Sequence, residues 1–294
     1  MKKILLASLL LVLSLTIPGT PANGSNSNDK RPWPIAASEA QAPYQTVDEL
    51  FNLYQPYLEN MGAYEPIYFL VGTDPEESKF QISLKYRFLN PKMRLSKRHP
   101  WLRGFHIAYT QTSFWDLESD SQPFDDTSYK PEVFFLSPNL FSGKGLSHIF
   151  FQTGYQHESN GQGGDRSRST NFLYVKPIFI FFHQDSELGF QVAPKLWAYA
   201  GNDDETNPDL YAYRGYFDLE IKCGRAHGTV LESHLRWAEK GASLRMDLTY
   251  PLDRLFDTRL EIYLQAQYVN MLAESLLNYQ DRTRAVRLGI SVVR

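Results

Sequence analysis

Beyond Ala63 the chain alternates apolar and polar side chains with a period of two. In Phe80–Phe88 the positions Phe80, Ile82, Leu84, Tyr86 and Phe88 are apolar, whereas Gln81, Ser83, Lys85 and Arg87 are polar. Phe217–Cys223, Leu244–Tyr250, Leu260–Tyr268 and Val286–Val292 repeat the pattern. Successive side chains of a strand face opposite sides, so these segments read as strands with one apolar and one polar face. Strands are expected near 65–72, 78–88, 103–115, 129–137, 146–159, 171–182, 187–199, 211–223, 228–237, 242–250, 258–268 and 284–293. That is about twelve, and an even count is what single-chain bacterial barrels have.

An exported sandwich alternates in the same way. Three features favour a transmembrane antiparallel β-barrel. The segments run to roughly ten residues, the length of a tilted strand across a bilayer. Their polar faces carry charges (Arg87, Asp218, Glu220, Arg245, Asp247, Glu261), which suits a lumen where charges pair. Aromatic residues crowd the strand ends, as at Trp101, Trp115, Tyr199, Tyr216, Trp237 and Tyr250, in the manner of interfacial girdles. Short connections at 238–241 and 251–253 alternate with longer polar ones at 117–128, 201–209 and 274–282, which predicts short turns at one rim and long loops at the other.

The N-terminal region belongs to export rather than to the barrel. Lys2 and Lys3 precede an apolar run from Ile4 to Ile17, followed by small and polar residues to Ala22, so residues 1–22 read as a secretory signal peptide. Residues 23–62 read as a periplasmic extension, a disordered leader followed by a possible short amphipathic helix at 47–60 that Pro56 interrupts. The barrel occupies 63–294. After residue 22 no apolar run is long enough to span a bilayer as a helix. A net charge of −3 with 21% charged residues gives no nucleic-acid footprint, and the single Cys223 cannot form an internal disulfide.

The stretch Tyr155–Asn171, Y-Q-H-E-S-N-G-Q-G-G-D-R-S-R-S-T-N, departs from the plain alternation. In the strand that leads into it, Ile149, Phe151, Thr153, Tyr155, His157 and Ser159 share the apolar face, so His157 and Ser159 lie side by side on the lipid-facing side. If Lys176 points into the lumen, Asn171 shares the outward face of the next strand and comes beside His157 in a suitable register. A hydroxyl needs a neutral imidazole to become a nucleophile, and the imidazole needs a third group to fix its tautomer. Ser159, His157 and Asn171 can fill these places. Asn171 supplies orientation without charge, so the oxyanion site must do more, and the Gly161 N–H is available there. A site that opens to lipid acts on lipid.

These residues resemble the outer-membrane phospholipase A family. His157-x-Ser159-Asn160-Gly161, Ser167-Arg168-Ser169 and Asn171 carry the resemblance, with Tyr109-Thr-Gln-x-Ser113, Trp115-x-Leu117, Pro123-Phe124, Tyr129-x-Pro131-Glu132 and Lys176-Pro177 in the same order. The resemblance implies a twelve-stranded barrel of the bacterial outer membrane that hydrolyses acyl ester bonds, sn-1 and sn-2, of phospholipids and lysophospholipids. Ser159 would be the nucleophile, His157 the general base and Asn171 the residue that orients it. Family members work as calcium-dependent homodimers. The matching calcium positions are Ser167, the Gln162 backbone carbonyl and Ser121 of the partner subunit, with calcium completing the oxyanion site beside the Gly161 N–H. Gln111 matches a glutamine of the dimer interface, and its parity with Phe105, Ile107 and Tyr109 agrees. Gln162-Gly163-Gly164 departs from the family's usual Arg-containing loop start, which a carbonyl ligand tolerates.

The rival readings are a non-enzymatic porin or structural barrel and a soluble esterase. The first leaves polar residues on the apolar face without a reason, and the second lacks a G-x-S-x-G elbow. The acidic run Asp116, Glu118, Asp120, Asp125 and Asp126 reads as a solvated loop rather than a second calcium cluster.

Overall fold

The structure, a computed structural model, describes residues 56–294 apart from 144–145, 184 and 257–260. The expected signal peptide, the leader and most of the possible helix lie outside the described residues. What is described of that helix, Pro56–Asn60, is a short 3-10 turn.

The chain is built from β1 (Met61–Gly62), β2 (Ile67–Gly72), β3 (Ser78–Arg87), β4 (Phe105–Trp115), β5 (Phe124–Leu136), β6 (Leu146–Ser159) and β7 (Ser169–His183), continued by β8 (Leu188–Asn202), β9 (Phe217–Arg225), β10 (Val230–Ala238), β11 (Gly241–Pro251), β12 (Tyr263–Leu272) and β13 (Arg282–Val293). Each pairs antiparallel with its neighbour, and β13 pairs with β2 while β3 pairs with β4, so the sheet closes on itself. β1 and β2 lie along the same edge of β3, with Met61 opposite Tyr86 and Tyr68 opposite Gln81. They make one interrupted stave, and the barrel has twelve. Closure pairs each of the long strands on both sides, which a β-structure in lipid requires.

The faces sort as the alternation predicts. Leu84, Ile107, Val133, Leu173, Val175 and Leu288 are exposed on the outside, whereas Glu132, Gln152, Asp218, Glu220, Asp247 and Arg287 are buried inside. The interior charges are paired: Lys176 Nζ lies 2.7 Å from Glu220, Lys222 Nζ 3.0 Å from Glu232, and Arg236 Nε 2.9 Å from Asp218. His234 sits in the lumen between Asp218 and Glu232 at 3.0 and 2.8 Å. A soluble fold would bury the first set and expose the second. The exchange of inside and outside is what lipid demands. Exposed aromatics mark both rims, Tyr216 and Trp237 at one and Trp101 and Phe256 at the other. The purified protein is therefore expected to migrate differently on gels before and after boiling, and fractionation with soluble proteins would contradict a membrane barrel.

Several expectations are corrected. The strand expected from residue 211 is a helix over Leu210–Arg214 followed by β9, because Leu210, Ala212 and Arg214 are buried. Gly215 ends the helix at φ +74°, and a Cβ there would lie 2.2 Å from the Trp237 carbonyl oxygen. β12 starts at Tyr263 rather than 258, so Glu261, assigned to the lumen face, lies exposed before the strand. The loop lengths do not sort by rim either. The tight 239–240 turn shares its rim with the long 116–123, 203–216 and 273–281 connections, while the opposite rim holds the 88–104 and 252–262 connections.

The rim that carries the 203–216 and 273–281 connections is covered over. Leu210, Ala273, Leu276 and Tyr279 form a buried cluster packed by Tyr199 and Tyr213. Beneath it, Glu274 takes Lys79 at 2.8 Å and the fully buried Arg287 at 2.7 Å. His157 and Ser159 end β6 at this same rim.

Candidate active site

Register brings the sequence-predicted residues together. β6 and β7 pair with His157 opposite Asn171 and Ser159 opposite Ser169. Tyr155, His157 and Ser159 share the outer face, and the residue between the last two, Glu158, is buried on the lumen side. There it accepts hydrogen bonds from Arg214 Nη1 at 2.6 Å and from the Ser128 hydroxyl, and Lys130 lies 3.9 Å away. Glu158 thus braces the strand end from behind.

The hydrogen bonds around Asn171 fix its orientation. Its Nδ2 donates to the Gly201 carbonyl at 2.9 Å. A carbonyl only accepts, so Oδ1 must be the atom turned toward β6. There Oδ1 accepts from the Tyr155 hydroxyl at 2.7 Å and meets His157 Nδ1 at 2.8 Å. His157 Nδ1 therefore carries a proton, and in the neutral ring Nε2 is the base. Alternation sets Ser159 on the same face, one pleat further toward the rim. Ser159 and His157 thus share one face two residues apart, with an amide on the imidazole's far nitrogen. Among the described residues no hydrogen bond joins the Ser159 hydroxyl to the ring, and closing that gap would complete an arrangement competent for acyl transfer.

The loop from Asn160 to Arg168 is organised by one buried amide. Asn160 Oδ1 accepts from the backbone N–H of Gln162 at 3.2 Å and of Arg168 at 3.0 Å, while its Nδ2 donates to the Arg166 carbonyl at 2.8 Å. Gly161 has φ +66°, a conformation glycine adopts freely, and a Cβ there would stand 2.9 Å from the Tyr129 ring. Among the described residues, neither the Gln162 carbonyl nor the Ser167 hydroxyl takes part in a hydrogen bond. Both are hard, neutral oxygens of the type calcium takes.

Ser121 is not joined to this group within the chain. It is exposed in the separate loop from Asp116 to Pro123. That loop is held by Asp116, whose Oδ1 accepts from the N–H groups of Glu118 at 2.9 Å and Ser119 at 3.0 Å. The Ser119 hydroxyl bonds to its other oxygen, and these bonds hold the Asp116 carboxyl below its usual range. This carboxylate shapes its own turn, as the solvated-loop reading expects, whereas Asp125 and Asp126 of the same acidic run belong to β5 and Asp126 is buried. Gln111 lies on the outer face in one row with Tyr129 and Ser159, opposite each other across β4, β5 and β6. Two strand spacings, roughly 10 Å, separate it from Ser159. Its amide is partly satisfied in the chain, accepting from the Tyr109 hydroxyl at 3.1 Å and donating to Ser113 Oγ at 3.3 Å.

Sequence reasoning passed over Tyr155, Asn160 and Gly201 as parts of the site. The alternation already placed Tyr155 two residues before His157. Gly201 comes from β8 and carried no local signal.

The closed barrel, apolar outside and charged inside, with a His–Asn pair and a serine on its lipid face, defines an integral membrane protein equipped for ester chemistry at the bilayer surface. The chain belongs to the phospholipase A1 family, whose sequence model matches residues 54–292. It is 29% identical over 225 residues to phospholipase A1 of Escherichia coli K12, covering 73% of this chain and 69% of that protein. It is 30% identical over 222 residues to that of Klebsiella pneumoniae, covering 73% and 70%. Among solved structures it is similar to the Salmonella typhi outer membrane phospholipase dimer with bound calcium, with a TM-score of 0.66 and 24% identity over 83% of this chain and 96% of the other. It is also similar to the outer membrane phospholipase A of Escherichia coli, with a TM-score of 0.65 and 23% identity over 81% and 96%. At these identities the structural likenesses bear on the fold.

Proposed function

We propose that this protein is an outer-membrane phospholipase that hydrolyses the sn-1 and sn-2 acyl esters of phospholipids and lysophospholipids, as a calcium-dependent homodimer. The observation that carries the reading is the hydrogen bond from His157 Nδ1 to Asn171 Oδ1, made on the lipid face of a membrane barrel beside Ser159. A lipid ester at that face meets the base and the hydroxyl together.

In this reading Ser159 Oγ attacks the acyl carbonyl carbon as His157 Nε2 takes its proton. The ester C–O bond breaks, and the departing glycerol oxygen takes that proton from His157, leaving an acyl-serine. Water then attacks the acyl carbon, again giving its proton to His157, and the fatty acid leaves as Ser159 is reprotonated. Asn171 keeps the imidazole in the required tautomer throughout. The Gly161 N–H is the nearby donor for the oxyanion, presented by a backbone turn that only a residue without Cβ fits against Tyr129. Gln162 through its carbonyl, Ser167 through its hydroxyl and Ser121 of the partner subunit would hold calcium, which when bound supplies positive charge at the oxyanion.

The row that joins Gln111, Tyr129 and Ser159 supports the dimer. A partner seated over Gln111 would abut the active site and cover its remaining amide donor, which is costly to leave facing lipid. The porin reading fits poorly with a rim closed by the Leu210–Leu276–Tyr279 cluster and a lumen crossed by ion pairs.

The direct test is the folded protein in detergent micelles with a diacyl phospholipid and calcium. Free fatty acid and then lysophospholipid breakdown are expected. A heat-modifiable, correctly folded preparation that releases neither would refute the enzyme reading and restore the structural-barrel one.

A further inference from the structure

We infer that Tyr155 and the Gly201 carbonyl form a clamp that commits this site to an amide at position 171, with Tyr155 acting as a positioning residue for the His157–Asn171 pair. The inference rests on the reading above that His157 and Asn171 serve ester hydrolysis. An asparagine in this place offers no charge to the imidazolium, so orientation is the whole of its contribution. Orientation is also what an amide loses easily, because its two ends are nearly the same size. A half-turn about the last side-chain bond would present Nδ2 to His157 Nδ1, move the imidazole proton to Nε2, and leave no base for Ser159.

Two contacts oppose that half-turn, and they act differently. The Gly201 carbonyl, 2.9 Å from Nδ2, decides which way round the amide sits, since the flipped amide would set oxygen against oxygen. The carbonyl cannot easily turn away. Gly201 has φ +112°, a conformation side-chain-bearing residues rarely adopt, and a Cβ there would approach Asn171 Nδ2 to 3.4 Å. Tyr155 Oη, 2.7 Å from Oδ1, then holds the oxygen in the plane that reaches His157. Tyr155 is 42% exposed on the apolar outer surface, so its hydroxyl would otherwise face lipid without a partner. The same bond that satisfies the tyrosine fixes the amide.

The clamp explains why a carboxylate would serve worse here. An aspartate at 171 could still accept from Tyr155 and His157, but its second oxygen would meet the Gly201 carbonyl with no proton between them. The charge it brings to the imidazolium comes with a repulsion that turns it out of place.

The test compares Tyr155→Phe, Asn171→Ala, Asn171→Asp and the double variant Tyr155→Phe with Asn171→Ala, all as heat-modifiable protein in micelles with saturating calcium. Tyr155→Phe is expected to lower kcat about tenfold with KM within about twofold, the effect of one hydrogen bond to a positioned group. In the Asn171→Ala background the same change is expected to cost nothing further, because the tyrosine acts through the amide. Asn171→Asp is expected to fall about tenfold or more below the wild type. A Tyr155→Phe protein with unchanged kcat, an equal loss in both backgrounds, or an Asn171→Asp protein at or above wild-type activity would overturn the clamp. Full activity in Asn171→Ala would instead overturn the assignment of Asn171 on which the clamp depends.

Discussion

Ser159→Ala is expected to lower phospholipid hydrolysis by about 10⁴-fold or more while leaving the barrel intact. The magnitude follows from the nature of the group removed. When a nucleophile and its base work as a unit, loss of either one removes nearly all of the covalent pathway, and only binding and oxyanion stabilisation remain. The fold has no stake in the hydroxyl. Ser159 is the last residue of β6, its backbone continues the ladder to Ser169, and among the described residues its Oγ makes no hydrogen bond. The measurement is fatty-acid release from a diacyl phospholipid in micelles, with gel migration before and after boiling as the check on folding. A heat-modifiable Ser159→Ala protein that keeps substantial activity would sink the assignment of the nucleophile. The same loss should appear for lysophospholipid, since one hydroxyl serves both esters.

The face on which this serine lies is legible in the sequence, because a strand leaves little freedom. Once His157 and Ser159 are placed on the apolar parity and Lys176 on the charged one, the outward direction of all three site residues follows. The pairing of His157 with Asn171 needed only that β6 and β7 be adjacent and in register. What was not legible comes from contacts that cross the sequence. The Gly201 carbonyl reaches Asn171 from 30 positions away along the chain. The helix Leu210–Arg214 alternates well enough to read as strand, and only its packing against Leu276 and Tyr279 over the barrel mouth makes it a helix. β5 begins at Phe124 rather than 129 because its backbone goes on pairing with β4 as far as Trp115. Asp126, on the face of it a loop acid, is buried there and accepts the Leu277 N–H at 3.0 Å from across the mouth. Alternation reports the barrel wall. It says nothing about what the loops do once the wall has brought their ends together.

Removal of calcium is expected to take the rate down by about 10²-fold or more, with full recovery on adding it back. The reasoning starts from the neutral third residue. A serine site with aspartate in that place has a fixed negative charge to balance the imidazolium, and this one has Asn171. The compensation has to come at the oxyanion, where the Gly161 N–H is a single dipole. Among the described residues the Gln162 carbonyl and the Ser167 hydroxyl make no hydrogen bond, in a loop that Asn160 holds in shape from a buried position. All the proposed protein ligands are neutral oxygens, and calcium affinity falls as the charge count of the ligands falls. The midpoint of activation is therefore expected at about 10⁻⁴ M or weaker, and Ser167→Ala should raise it further. Magnesium should not substitute, because it demands a tight octahedral shell and gives up water reluctantly. A ligand from the loop of a second subunit adds a separate signature. If Ser121 of the partner subunit completes the site, activity per molecule should fall when the protein is diluted in excess detergent at fixed calcium, and the calcium midpoint should shift upward with it. Full activity in excess chelator would remove calcium from the site. A chelator-sensitive rate that does not change on dilution would keep the metal and remove the second subunit.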